Sequence, residues 1–285
     1  MELLLALFLT TAYLADVNSR GEEVLGLVGR RVVEPGETLI EMAREHNIGF
    51  NAIAAANPGL DPFVPPPGAT LTIPTSWIVP RAAKPGTVVV NVSEMRLYLV
   101  PEEGSAPVTF PVGVGMDEWK TPLGTYTVVS KTENPVWYPP RSIRREDPTL
   151  PAKVPPGPDN PLGTHALRLS SGSILIHGTD EPYGVGRKAS HGCIRLYPED
   201  IPDLFGMVPV KARVTMVREP VKVGVRAGRV LVEIHDDPDA RVDLRAEAAQ
   251  LLAKRGLRAR VDARKLEEAL EERRGLPVDV SLDAL

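Results

Sequence analysis

Nine prolines fall within the thirty-four residues 131–164, a density that denies the segment any long helix or interior strand. Neither a helical nor a strand period of apolar residues survives there. A loop of this length inside a compact domain is a lid, a binding loop or disordered chain. Around it the pattern alternates as strands do. Thr87-Val-Val-Val-Asn-Val92 and Arg96-Leu-Tyr-Leu-Val100 flank Ser93-Glu-Met as a predicted hairpin, and 108–114 and 125–130 continue the series. Short strands resume at 166–169 and 174–177, a helix is expected over 198–206, and 213–217 closes the set. The expectation is a mainly β domain over residues 86–218, interrupted by one long loop.

The 285 residues leave room for more than that domain. Residues 31–75 read as a small βααβ unit. Arg31-Val-Val-Glu34 is a strand candidate, Pro35-Gly36 turns the chain, and Thr38-Leu-Ile-Glu41 is a capping box opening a helix through Leu39, Met42, Ala43 and His46. A second helix over 51–56 stops at Asn57-Pro58-Gly59, and Thr70-Leu-Thr-Ile73 alternates as the closing strand. At the other end, 219–285 reads as a small α/β appendage. Val221–Val225 and Val230–Ile234 form a hairpin around Arg226-Ala-Gly-Arg229, two amphipathic helices follow, and 257–261 and 278–282 are strand-like. The fold class expected is therefore α+β and multidomain.

Residues 1–20 read as an export signal. The run 3–14 is apolar except for two threonines and too short to span a bilayer. Its flanks are atypical, with Glu2 where a positive charge is usual and Tyr13 near a cut after Ala15; an ordinary apolar N-terminal element is the alternative. With a net charge of −4, no overall positive field argues for nucleic acid or an anionic membrane as the main partner. The single cysteine, Cys193, excludes an intrachain disulfide and any zinc site built from several thiolates.

That cysteine sits in the stretch richest in chemistry. Ile176-His177-Gly178-Thr179 is followed by Lys188-Ala-Ser190-His191-Gly192-Cys193-Ile-Arg195-Leu196. A thiol needs a base to become a nucleophile at neutral pH, and either histidine can supply one. His177 ends a predicted strand and Cys193 follows a turn, which suits a rigid base facing a turn-held nucleophile. Two alternatives stand beside this: a small buried apolar cysteine, and a three-ligand zinc site of His177, His191 and Cys193, although the spacing matches no standard finger. His46, His165 and His235 lie outside the cluster and are expected to be structural or on the surface.

The motif Ser190-His191-Gly192-Cys193, with Arg195 after it and His177-Gly178 before, resembles the signature of the YkuD-type L,D-transpeptidases. The similarity extends to Lys120-Thr-Pro-Leu-Gly-Thr-Tyr126, to the segments around Trp137 and Tyr138 and around Asn160-Pro-Leu-Gly163, and to Ala166-Leu-Arg-Leu169. Likewise Val33-Glu-Pro-Gly-Glu-Thr-Leu39, Ile53-Ala-Ala-Ala-Asn-Pro-Gly59 and Leu71-Thr-Ile-Pro74 resemble a LysM module, as in ErfK/YbiS-type enzymes. The resemblance implies Cys193 as nucleophile and His177 as proton donor and acceptor, with no metal or cofactor. Gly178 would orient the imidazole, and the amides of Gly192 and Cys193 would form an oxyanion hole. Ser190 and His191 would brace the loop, with His191 as the alternative base, Arg195 would take a substrate carboxylate, and Trp137 and Tyr138 would belong to a lid over the substrate. The partners implied are peptidoglycan glycan strands and stem peptides, with another stem or the lysine of an envelope lipoprotein as acceptor. A periplasmic or envelope location follows. An L,D-carboxypeptidase using the same acyl-enzyme and a non-catalytic wall-binding protein remain the competing readings.

Overall fold

The computed structural model describes residues 23–102 and 106–283. The expected export signal, 1–20, lies outside them. The first unit runs β1 (Val24–Gly26), β2 (Gly29–Val32), α1 (Leu39–Glu45), α2 (Phe50–Ala56), β3 (Thr70–Ile73) and β4 (Ser76–Ile78). Thr38 opens α1, accepting from the Glu41 amide at 3.3 Å. The Glu41 carboxylate accepts the Thr38 hydroxyl proton at 2.8 Å, so the predicted capping box is present with a different return bond. Leu39, Met42, Ala43, Ile48, Ile53, Leu71 and Ile73 form a core between the helices and the antiparallel β2–β3 pair. Asn57 locks that packing, its amide donating to Ile53 O and Thr72 O at 2.8 Å each. The pairing of β1 with β4 was not foreseen from the sequence, because three-residue strands carry too little alternation to register.

The middle unit contains β5 (Thr87–Asn91), β6 (Arg96–Val100), β7 (Val108–Pro111), β8 (Val114–Gly115), β9 (Gly124–Glu133), α3 (Arg141–Glu146), β10 (His165–Leu169), β11 (Leu175–His177), β12 (Lys188–Ser190), β13 (Ile194–Arg195), α4 (Asp200–Met207) and β14 (Arg213–Val217). Eight of these strands form one sheet in the order β13-β11-β10-β9-β14-β5-β6-β7, while β8 pairs with β12 alone. β5 lies between β6 and β14 with its valines buried, as a continuous apolar run requires. Val88, Val90, Leu97, Val128, Leu167, Ile176, Ile194 and Val214 meet Ile201 and Leu204 of α4 in the core.

The proline-rich segment is shorter than expected as a loop. Its first three residues prolong β9 to Glu133 and pair with β10, where Lys131 faces Leu167 and Glu133 faces His165. The remainder folds back on itself. Trp137 and Val154 exchange backbone hydrogen bonds at 2.9 and 2.8 Å, α3 lies between them, and buried Asn160 donates to Pro135 O at 2.8 Å and to Pro155 O at 3.0 Å. Proline removes ladder donors, so a buried side-chain amide supplies the donors instead.

The last unit comprises β15 (Val221–Arg226), β16 (Arg229–Ile234), α5 (Leu244–Lys254), α6 (Ala263–Glu272) and β17 (Val278–Asp279). Ala227 and Gly228 turn the hairpin with φ of 46° and 75°, the left-handed pair that suits a two-residue connection. Asp243 and Asp262 cap the two helices through bonds to the second and third amides. Residues 257–261 are not a strand: Arg258–Arg260 forms a short 3-10 helix, and Val261 makes only a single bridge to Ser281. Five residues ending at a helix turn cannot add a ladder. The unit has its own core of Val221, Val230, Val232, Ile234, Leu251, Leu252 and Leu270. It is stitched to the start of the chain, with Arg226 donating to Val24 O and Gly26 O at 2.8 and 2.7 Å. Among the described residues no helix is long and apolar enough to cross a membrane.

Candidate active site

Parallel pairing of β11 with β13 sets Ile176 beside Ile194 and His177 beside Arg195. The two isoleucines are buried in the core, so Leu175, His177, Cys193 and Arg195 face the other side of the sheet. Cys193 thereby lies level with Leu175, one strand across and one step diagonal from His177. Its Sγ accepts the Leu175 amide at 3.4 Å and lies 3.8 Å from Ser173 O.

His177 is buried, and its Nδ1–H donates to Gly178 O at 2.6 Å. That bond fixes the tautomer and leaves Nε2 as the free base. Burial first, and then the Arg195 guanidinium, lower the imidazole to about 3, against a partial return from the Gly178 and Pro161 carbonyls. Gly178 has no room for a side chain, since a Cβ there would sit 2.9 Å from Ile201 Cγ2. Burial raises the Cys193 thiol, while the Leu175 amide, Arg195 and Arg168 oppose that rise. At neutral pH the resting pair is therefore a neutral thiol and a neutral imidazole.

The turn that carries the thiol is held from inside. Ser190 Oγ donates to Cys193 O at 2.6 Å and accepts from the Gly192 amide at 3.2 Å. Gly192 takes φ +97°, a region that side chains rarely adopt. Its carbonyl accepts from Thr121 Oγ1 at 3.1 Å, and Thr121 in turn accepts the Gly115 amide at 2.9 Å. The Gly192 amide is thus engaged, whereas the Cys193 amide donates to no group among the described residues.

His191 points elsewhere. Its Nε2 pairs with Glu146 of α3 at 2.9 Å and its ring lies 5.4 Å from that of Trp119. The fold thus ties the cysteine turn to the proline-rich segment. Arg195 meets Glu181 at 3.3 Å, and its Nε is buried without a partner. Trp137 is half-buried with its backbone paired to Val154, and Tyr138 is exposed on the same segment. His177, His191 and Cys193 do not converge as ligands would. The one converging set among the described residues is Glu94, Glu233 and His235, where the Lys222 ammonium stands 2.7 Å from Glu94 and 2.8 Å from Glu233. The place of a cation is filled by a lysine.

Three contributors escaped the sequence reading as individuals: Thr121, Glu146 and Glu181. Thr121 lay inside the quoted Lys120-Thr-Pro motif, and that was the only available signal. The other two reach the site across 45 and 14 residues of chain, with no local pattern to mark them.

Residues 85–222 match the model of the L,D-transpeptidase catalytic domain YkuD, and residues 32–74 match that of the LysM domain. The chain is 36% identical to the probable L,D-transpeptidase YcfS of Escherichia coli, over 91% of this chain and 86% of that one. It is 37% identical to the probable L,D-transpeptidase ErfK/SrfK of Salmonella typhimurium, over 92% of this chain and 87% of that one. Among solved structures, an L,D-transpeptidase from Mycobacterium tuberculosis aligns over 53% of this chain and 73% of its own, at 17% identity and a TM-score of 0.37.

Proposed function

The chain belongs to the L,D-transpeptidases, and on that premise we propose that it acts on peptidoglycan stem peptides through a thioester on Cys193, with His177 as the proton carrier. The observation that carries the reading is the β11–β13 pairing, which sets thiol, imidazole and guanidinium on one face. Sulfur attacks the carbonyl carbon at the L-centre of the third stem residue, and the thiol proton passes to His177 Nε2. The tetrahedral oxyanion forms beside the Cys193 amide, then collapses. The C–N bond to D-alanine breaks, the amine leaves with the proton from His177, and the thioester remains. An acceptor amine next attacks the thioester, giving its proton to His177; the new amide forms and the proton returns to sulfur. No nucleotide is consumed, because the acyl activation is conserved in the thioester.

A neutral resting pair requires proton transfer to accompany attack rather than precede it. Arg195 takes a carboxylate of the stem through its planar fork, and Glu181 holds that fork until substrate arrives. Trp137, Tyr138 and α3 cover the donor and exclude water, which favours amines over hydrolysis. The LysM module holds the glycan strand, and the enzyme works in the cell envelope outside the cytoplasm. The acceptor is a second stem peptide, or the lysine of an envelope lipoprotein.

The test is mass spectrometry of a purified tetrapeptide stem incubated with enzyme, with and without an amine acceptor. The expected products are free D-alanine and a new amide only when acceptor is present, with Cys193→Ala inactive. A carbapenem should leave one covalent adduct, on Cys193. Equal hydrolysis with and without acceptor would make the protein a carboxypeptidase. Full exchange by Cys193→Ala would overturn the mechanism.

A further inference from the structure

Strands β11 and β13, which set His177, Cys193 and Arg195 on one face, belong to the catalytic unit and not to the C-terminal one. The C-terminal unit nevertheless reaches the segments on both sides of the cysteine turn. We propose that Asp239 is a positioning residue for Cys193, its two carboxylate oxygens holding the two lysines from which the supports of that turn begin. The inference rests on the reading of Cys193 as the nucleophile.

Asp239 lies in a 3-10 turn, Pro238–Ala240, between β16 and α5. The turn is itself fixed. Its amide donates to Asp237 Oδ1 at 3.0 Å, and Asp237 is gripped by Arg218 at 2.7 and 2.6 Å and by Ser93 Oγ at 2.7 Å. From this base Asp239 Oδ1 accepts Lys120 Nζ at 2.5 Å and Oδ2 accepts Lys188 Nζ at 2.7 Å. The two lysines hold its carboxyl well below the usual carboxylate range. Its side chain is 16% exposed, but those of Lys120 and Lys188 are 45% and 31% exposed, so solvent reaches both pairs and what they supply is position more than stability.

Each lysine is one step from the nucleophile turn. Lys120 precedes Thr121, whose hydroxyl supports Gly192 O. The carbonyls of Trp119 and Lys120 also form the wall against which Gly192 packs. Lys188 begins β12, which ends at Ser190, the residue whose hydroxyl holds both the Gly192 amide and Cys193 O. β12 is secured on its other side by pairing with β8, and Lys188 also meets the more exposed Asp117 at 2.6 Å. Between the appendage and these supports lies a cavity of about 50 Å³, lined by Lys120, Thr121, Lys188, Arg218, Asp237 and Asp239. The carboxylate spans it.

Displacing a reacting group by about 1 Å can cost up to about a hundredfold in rate, so loosening two supports at once is a kinetic lesion before it is a structural one. The experiment measures single-turnover acylation of Cys193 by a carbapenem, the KM for the stem donor and the melting temperature, on full-length protein. Asp239→Asn, which keeps the shape and removes the charge, is expected to slow acylation by about 5- to 30-fold while KM stays within about twofold. Asp239→Glu should recover most of the rate. On a Lys120→Met/Lys188→Met background the Asp239→Asn change should add almost nothing, because the carboxylate acts through those lysines. Asp279→Asn, which breaks an ion pair with Arg229 elsewhere in the same unit, should leave the rate unchanged. Wild-type acylation by Asp239→Asn would overturn the proposal. So would a slowing that Asp279→Asn reproduces, or one that tracks a fall in melting temperature. Absence of any adduct on Cys193 in the wild-type protein would instead sink the nucleophile reading, and this inference with it.

Discussion

Cys193 and His177 are poised without being ionised. Many thiol nucleophiles rest as thiolate and imidazolium, which gives reactivity that persists into acid. Here burial raises the thiol and lowers the imidazole to about 3, and Arg195 reinforces the second effect while opposing the first. The thiolate fraction then grows about tenfold per pH unit up to the raised thiol pKa. Because the chain has one cysteine, alkylation by iodoacetamide reads this site alone. The rate in substrate-free enzyme should climb about tenfold per unit between about pH 6 and 8.5, with no step near 6.5. A plateau below pH 7 would reveal an ion pair and refute the neutral resting state. The same imidazole bears on stability. An unfolded histidine takes a proton near pH 6.5 that the folded site refuses, so stability declines as pH falls from about 6.5 toward 3.

At the scale of elements, the first unit joins the catalytic sheet through polar contacts as well as the buried Leu25–Tyr98 cluster. Arg44 of α1 forks onto Glu199 at 2.7 and 2.9 Å, Asn47 donates to Asp200 at 3.1 Å, and Tyr197 donates to Ile48 O at 3.1 Å. Asp200 is pushed up to about 7, by burial first and then by Glu199, with Asp203 adding and Arg96 and Asn47 opposing. Its Oδ2 and the Oδ1 of Asn47 are both buried without partners. A folded-state pKa above the unfolded value favours the protonated fold, so this contribution is full below about pH 4 and is lost as pH rises through about 7. Asp200→Asn, neutral at every pH, should melt above wild type by a margin that grows by a few degrees from about pH 5 to 8. A constant margin would refute the assignment. This joint was not legible in the sequence, and the reason is general. The capped helix α1, the turn at Asn57-Pro58-Gly59 and the hairpin around Ala227-Gly228 are written locally, and periodicity or turn chemistry finds them. Of the two strands that bring Ile176 beside Ile194, β11 is visible as an apolar run, whereas the two-residue β13 is too short to be. The β1–β4 pairing, the Asn160 pin beneath the prolines and the Glu146–His191 link depend on residues far apart in the chain. Residues 257–261 misled because their alternation was real while Arg258–Arg260 winds into a 3-10 turn, leaving Val261 only its bridge to Ser281.

Across the whole molecule, buried charge fastens the last unit to the catalytic one. Lys222 of β15 lies between Glu94 of the catalytic unit and Glu233 of β16, and Tyr98 donates to Glu94 at 2.7 Å. Burial pushes the Glu233 carboxyl up, but Lys222 and His235 more than reverse this and hold it below the ordinary range. Removing one partner from such a set leaves charge stranded in the interior. Lys222→Met should cost about 3–5 kcal/mol in urea unfolding, and adding Glu94→Gln and Glu233→Gln should return much of it. A loss below about 1 kcal/mol would mean that water already reaches the cluster.

The stitch between β1, β4 and the last hairpin has a consequence for how such an enzyme travels. A module on a slack linker would let the thiol sweep a volume of wall around each point of attachment. Here the residues before and after the LysM fold are knitted into β15, with Glu23 accepting the Val225 amide and Gly224 packed on Val24 and Ile78. The LysM fold is therefore tied to the last hairpin from both of its flanks rather than by one linker. On the proposed function, a module joined in this way would hold the thiol at a set offset from the glycan strand it grips, so that the protein would measure the wall rather than search it.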